Sequence, residues 1–187
     1  MRVITGKAKG LRLKTLKGSN KRPTTDRVKE SIFSVIGEKV YEADVLDLFA
    51  GTGNLGIEAL SRGARTALFI DNDHRATRII EENLELTRFR SKSEIWTSDV
   101  FTALLRLRTV SRAFDVIFAD PPYEKGFGTK TLVLLEENGL LNTGGICILE
   151  HPIREEIRIA SNRMKLMTHK LYGQTAVHFF QDIDTEE

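Results

Sequence analysis

From Asp44 to the end of the chain, short apolar runs alternate with helical stretches, and that order restricts the chain to very few folds. VLDLFA, TALFID, SEIWTSD, FDVIFAD and GGICILEH read as strands. Between them NLGIEALSR, HRATRIIEENLELT, residues 100–108 and KTLVLLEENG read as helices, the second with Ile79, Ile80, Leu84 and Leu86 facing inward. Parallel strands need helical crossovers of one hand, so the pattern predicts an α/β fold with a doubly wound, mostly parallel sheet. KLMTHKLYG and TAVHFFQ then form a hairpin about Gly173, and the last six residues, DIDTEE, are expected to fray. Upstream, RVITGKAKGLRLKTL reads as a β-hairpin turning at Gly6 and Gly10, and GSNKRP as a loop. TTDRVKESIFSVIG reads as a helix capped by Thr24 or Thr25, with Asp26 in its first turn. Its apolar stripe is Val28, Ile32, Val35 and Ile36, and Gly37 stops it.

The 187 residues suit one soluble domain with a small extension, divided here as an arm over 1–22 and a domain over 23–187. No apolar run approaches the ~18–20 residues of a membrane span, and the N-terminus lacks a signal-peptide core, so a cytoplasmic protein is expected. The one cysteine, Cys147, lies in an apolar run and reads as a buried structural thiol. The four histidines are scattered and no zinc spacing occurs, so no metal is expected. The formal net charge is +2, but residues 1–22 carry eight basic side chains and no acid, leaving the remainder at −6. An acid-free arm on an acidic body suits an anionic partner held at one end.

The first strand runs into LDLFAGTGNLG, where Gly51, Gly53 and Gly56 form G-x-G-x-x-G and Asp71 follows twenty residues after Gly51. Strand, glycine turn, helix and a later acid together suit an adenosine-containing ligand, with Asp71 on the ribose. Asp47, inside the strand just before the turn, would repel a pyrophosphate and suit the cationic end of S-adenosylmethionine. Asp99, ending the third strand, is placed to accept from the adenine amino group or to cap the helix that follows. Phe49, Thr52, Asn72 and Val100 lie in the same loops and are counted with the cofactor site.

The fourth strand is stopped by Asp120-Pro121-Pro122-Tyr123. Proline cannot continue a central strand, so this is a rigid, extended loop at the sheet's ligand-binding edge. A base's exocyclic amine is a poor nucleophile because its lone pair is delocalised into the ring. The Asp120 carboxylate and Pro121 carbonyl could hold that nitrogen in line with a methyl donor, with Pro122 fixing their direction. Tyr123 could stack on a flipped or unpaired base, worth ~1–3 kcal/mol.

DLFAGTG, FIDND, SD and DPPY resemble the successive motifs of class I S-adenosylmethionine-dependent amino methyltransferases. With RVITGKAKGLRLKTL, RPTTDRVKESIF and LYGQT, the whole chain resembles the RsmD family, bacterial 16S rRNA guanine-N2 methyltransferases. The resemblance implies a Rossmann-like, seven-stranded sheet with its last strand antiparallel and a hairpin extension that contacts the substrate. It also implies one methyl added to guanine N2 in the small ribosomal subunit or its assembly intermediate, and a monomer is expected. Gly51 and Gly53 match the cofactor loop, Asp71 the ribose acid, Asp99 the adenine-side acid and Asp120 to Tyr123 the catalytic loop. Arg22, Thr24 and Arg27 fall in the RPTTDR segment, near the cofactor's methionine end and the RNA entrance. Lys7, Lys9, Arg12 and Lys14 on the arm are the expected RNA contacts. Three other readings stay open: an adenine-N6 methyltransferase using the same DPPY loop, an NAD-dependent dehydrogenase, and a non-catalytic RNA-binding or assembly factor.

Overall fold

The computed structural model describes residues 1–16, 25–123, 126–157 and 163–183. Arg22 and Thr24 lie outside them. The helices are α1 (Asp26–Ile36), α2 (Asn54–Ser61), α3 (His74–Thr87), α4 (Val100–Thr109) and α5 (Phe127–Glu137). The strands are β1 (Asp44–Leu48), β2 (Thr66–Asp71), β3 (Ser93–Thr97), β4 (Phe114–Ala119), β5 (Leu141–Pro152), β6 (Met164–Tyr172) and β7 (Thr175–Asp182). They form one seven-stranded sheet in the order β3-β2-β1-β4-β5-β7-β6. Strands β1 to β5 pair in parallel, and β7, the last in the chain, is antiparallel to both β5 and β6. Among the described residues, no helix is long and apolar enough to cross a membrane.

Residues alternate between the two faces of each central strand, and each face has its own core. Val45, Phe69, Val116 and Ile148 pack on one side with Ile32 and Phe33 of α1, Ile57 and Leu60 of α2, and Ile80 and Leu84 of α3. Leu46, Leu68, Ile117 and Leu149 pack on the other with Leu104 and Leu107 of α4 and Leu132 and Leu135 of α5.

The cap of α1 falls to Thr25, whose side chain accepts from the Val28 amide, and Gly37 ends the helix at φ 58°. Three local expectations change. Leu86 is exposed, and the buried face of α3 carries Asn83 and Thr87 beside Ile80 and Leu84. The N-terminal hairpin contains a single antiparallel bridge, Arg2–Arg12, closed by bonds from Val3 to Leu11, Gly10 to Val3 and Leu13 to Met1. Its buried Val3, Ala8 and Leu13 belong to the core on the α2 side, because alternation of apolar and basic residues gives this segment one face to bury. Asp182 is not frayed: it is 5% exposed and pairs with Arg163 at 3.0 Å, which closes the end of β7.

Candidate active site

Strand register gathers the site. Leu48 lies beside both Ile70 and Ala119, and Asp71 lies beside Thr97. Phe49, Asp71 and Asp120 therefore leave the sheet abreast at its C-terminal edge, with Asp99 two residues beyond Thr97. Asp71 and Asp120 stand two strand spacings apart, roughly 10 Å.

The glycine turn is built around two acids with different jobs. Asp71 accepts from the Gly51 amide at 2.8 Å through one oxygen and from the Asp73 amide at 2.9 Å through the other. It thereby joins the β1 turn to the β2 turn at the sheet edge, where it is itself buried. Asp47 lies on the α2 side of the sheet and accepts from the Gly56 amide at 2.9 Å. It is 3% exposed. Burial pushes its carboxyl up to about 8, with the nearby Asp71 charge adding to the effect against the Gly56 hydrogen bond. Asp47 is thus largely protonated at neutral pH, so the negative charge expected of it is mostly absent, and a neutral carboxyl sits beneath the turn. Gly56 is needed there for space. A Cβ on it would lie 2.3 Å from the Phe69 ring and 3.0 Å from the Asp47 carboxylate. This is the close helix–strand approach that the third glycine of such a fingerprint serves.

Asp99 realises the capping reading: one oxygen accepts from the Thr102 amide at 2.9 Å and its hydroxyl at 3.1 Å. The residue is exposed at the edge. Asn72 is exposed beside Asp71, Thr52 is half-buried in the turn, and Val100 is buried in the α4–α5 core. Phe49 holds φ 56°, an uncommon conformation for a residue with a Cβ. Its ring meets Phe101 edge-on at 6.4 Å, Phe101 meets Phe127 at 5.3 Å, and the Lys130 ammonium sits 3.8 Å from the Phe101 centroid. Sequence reasoning missed Phe101, Phe127 and Lys130. They come from two helices, and no linear motif joins them.

Asp120 follows the last residue of β4 and is half-buried, Pro121 is buried and Pro122 half-buried. Tyr123 is 61% exposed. Its hydroxyl lies 3.2 Å from the Thr175 hydroxyl at the start of β7. That contact gives the YGQT stretch a place in the site: Gly173 turns the β6–β7 hairpin so that Thr175 meets the end of the proline loop.

Lys7, Lys9, Arg12 and Arg27 are exposed, whereas the Lys14 ammonium pairs with Glu82 at 2.8 Å. The Lys7 amide donates to the Ser61 carbonyl at 2.8 Å, at the end of α2 away from the glycine turn. Gly6 lies so close to Ser61 that a Cβ would sit 1.8 Å from its carbonyl oxygen. Three of the scattered histidines converge instead: His151, His178 and His169, on β5, β7 and β6, meet edge-on at 4.6 and 5.4 Å. Among the described residues, no group of three or more His, Cys, Asp or Glu could hold a metal ion.

The sheet order, the reversed β7 and the glycine turn between β1 and α2 define the class I S-adenosylmethionine-dependent methyltransferase fold. A Salinibacter ruber RNA methyltransferase solved with S-adenosyl-L-homocysteine shares that fold, at TM-score 0.68 and 15% identity, over 89% of this chain and 97% of its own. The family described as "Conserved hypothetical protein 95" matches residues 1–181. This chain belongs to that family, the RsmD family. The Bacillus subtilis protein YlbH is 37% identical over 181 residues, covering 97% of this chain and 98% of its own length. The Escherichia coli ribosomal RNA small subunit methyltransferase D is 31% identical over 97% of this chain and 89% of its own. The solved structure of Escherichia coli yhhF aligns at TM-score 0.88 and 31% identity, covering 98% of each chain.

Proposed function

We propose that this chain transfers a methyl group from S-adenosylmethionine to the exocyclic N2 of a guanine in 16S rRNA of the small ribosomal subunit or its assembly intermediate. Family membership supports the coarser reading, S-adenosylmethionine-dependent methylation of ribosomal RNA. The observation that carries the finer one is the register that sets the Asp120-Pro121-Pro122-Tyr123 loop abreast of the Gly51–Asp71 turn.

The donor set fits the cofactor. Asp71 and Asp99 offer acceptors at the edge for ribose and adenine, and the Gly51-Thr52-Gly53 turn lets backbone approach closely. Asn72, Val100 and Phe49 complete that side, and Asp47 holds the turn from beneath. When bound, the cofactor supplies an electrophilic methyl group. The chain's own residues align the acceptor. The Asp120 carboxylate and Pro121 carbonyl accept from guanine's adjacent N1–H and N2–H groups, which fixes the N2 lone pair's direction. Tyr123, held at its hydroxyl by Thr175, offers a ring face to a splayed base. Lys7, Lys9, Arg12 and Lys14 on the arm contact the RNA backbone, with Arg22, Thr24 and Arg27 nearer the entrance. A ribosomal RNA substrate suits a cytoplasmic protein, and we read the chain as a monomer.

The test is transfer of labelled methyl from S-adenosylmethionine to unmethylated small subunits, to protein-free 16S rRNA and to duplex DNA, each then digested to nucleosides. Label in N2-methylguanosine from subunits or their RNA is expected. Label in N6-methyladenine would keep the loop's chemistry and overturn the base assignment.

A further inference from the structure

Two buried polar side chains join the N-terminal arm to the glycine turn, one on each side of Gly53. Asn83, fully buried in α3, donates to the Thr52 carbonyl at 3.0 Å and to the Lys14 carbonyl at 3.1 Å. Its oxygen accepts from the Lys14 amide at 2.8 Å. Lys29, fully buried in α1, donates to the Asn54 side chain at 2.8 Å and to the Arg2 carbonyl at 2.6 Å. It also pairs with the fully buried Glu58 at 3.1 Å, which in turn accepts from the Ile4 and Thr5 amides at 2.7 and 3.0 Å. Thr52 and Asn54 are the chain neighbours of Gly53. Arg2, Ile4, Thr5 and Lys14 belong to the arm.

Apolar side chains would fill the same space without desolvating an amide or an ammonium. The polar ones commit the arm to one position relative to the turn, because any slip leaves buried donors unpaired. Surface contacts add little to this: the Lys14–Glu82 pair is exposed, and such pairs are weak.

We propose that Asn83 and Lys29 are positioning residues that couple the arm to the cofactor turn, so that occupancy of either is felt at the other. This rests on the reading of the arm as the RNA contact. Coupling between two ligands is reciprocal: RNA on the arm tightens the cofactor, and the cofactor tightens RNA by the same factor.

Hydrogen exchange on the intact wild-type chain tests the connection without any variant, with S-adenosylhomocysteine as the probe. Exchange at the Ile4, Thr5 and Lys14 amides should slow severalfold more than in β6. No slowing in the arm, or equal slowing in β6, overturns the coupling. Titration of S-adenosylhomocysteine with and without protein-free 16S rRNA then measures the factor, expected at about fivefold or more. Asn83→Asp keeps an acceptor for the Lys14 amide and loses the donor to both the Thr52 and the Lys14 carbonyls, so it should bring the factor near one. Glu82→Gln, which breaks only the surface pairs of Glu82 with Lys14 and Arg78, should leave it intact. A factor of one in the wild type, or an unchanged one in Asn83→Asp, overturns the proposal. If the arm responds to S-adenosylhomocysteine but RNA does not bind, the RNA reading fails and the coupling stands.

Discussion

At the scale of single residues, the site separates into a half that binds the cofactor and a half that aligns the acceptor. Asp120→Ala should reduce methyl transfer at least ~100-fold, the scale of losing one preorganised charge stabiliser. Affinity for S-adenosylhomocysteine, read by calorimetry, should stay within about threefold. Equal loss of both would mean that the two halves are one site. Asp47 makes a different prediction. Its carboxyl titrates ordinarily at 3.8 and in the fold near 8, so between those values the folded chain keeps a proton that the unfolded chain releases. Its contribution to stability is therefore present at low pH and declines as pH rises through about 8, with a slope approaching ~1.4 kcal/mol per pH unit mid-window. Asp47→Asn retains an acceptor for Gly56 and should lose that slope in denaturant melts at pH 5, 6, 7 and 8. Asp47, Asp71 and Asp99 were all legible in the sequence as strand-end acids. Which of them faces solvent was not, because that depends on what packs over the strand.

At the scale of elements, the close approach of α2 to β2 and the histidine row across β5, β7 and β6 are the sensitive places. Gly56→Ala must move the Phe69 ring, and such overpacking typically costs about 1–3 kcal/mol. It should lower the melting temperature and weaken S-adenosylhomocysteine binding together. His178 works in the opposite direction from Asp47. Burial first, then His151 and His169, push it from 6.5 down to about 4. The unfolded chain takes up a proton that the folded chain refuses, so stability is full above 6.5 and falls as pH drops towards 4. His178→Phe should flatten acid sensitivity in that window, and an unchanged acid limb would exclude His178 as its source. Elements with strong periodicity were read correctly. Thr25 caps α1 and Gly37 stops it, and Asp99 caps α4, because capping and periodicity are local. The inward face of α3 was misread at Leu86 because buried Asn83 and Thr87 are polar, and hydrophobic periodicity cannot see polar residues that bury their hydrogen bonds within the fold.

At the scale of the whole molecule, the described part of the basic arm, residues 1–16, is a strap against α2 and not a free projection. Helix α2 has eight residues, about 12 Å of rise. The Lys7 backbone sits at its far end, so RNA that touches both Lys7 and the Asp120 loop must run past the length of the helix. Neutralising Lys7, Lys9 and Arg12 together should lower the slope of log affinity against log salt by about two for single-stranded RNA, at roughly 0.7 per contact. Adding Lys14→Gln should change it less than any of these three, because Glu82 already holds that ammonium. A slope unmoved by all four would reduce the strap to a structural role.

The sequence by itself determined the α/β class, the terminal hairpin, the glycine turn with its acids and the proline-stopped strand. Each of these is written in local periodicity, capping or the backbone chemistry of glycine and proline. Only the tertiary structure decided that Asp47 is buried and protonated, that Tyr123 meets Thr175, that three distant histidines stack, and that Asn83 and Lys29 tie the arm to the turn. Those facts depend on which faces pack together, and packing sets both the desolvation of a carboxyl and the partners left to a buried donor.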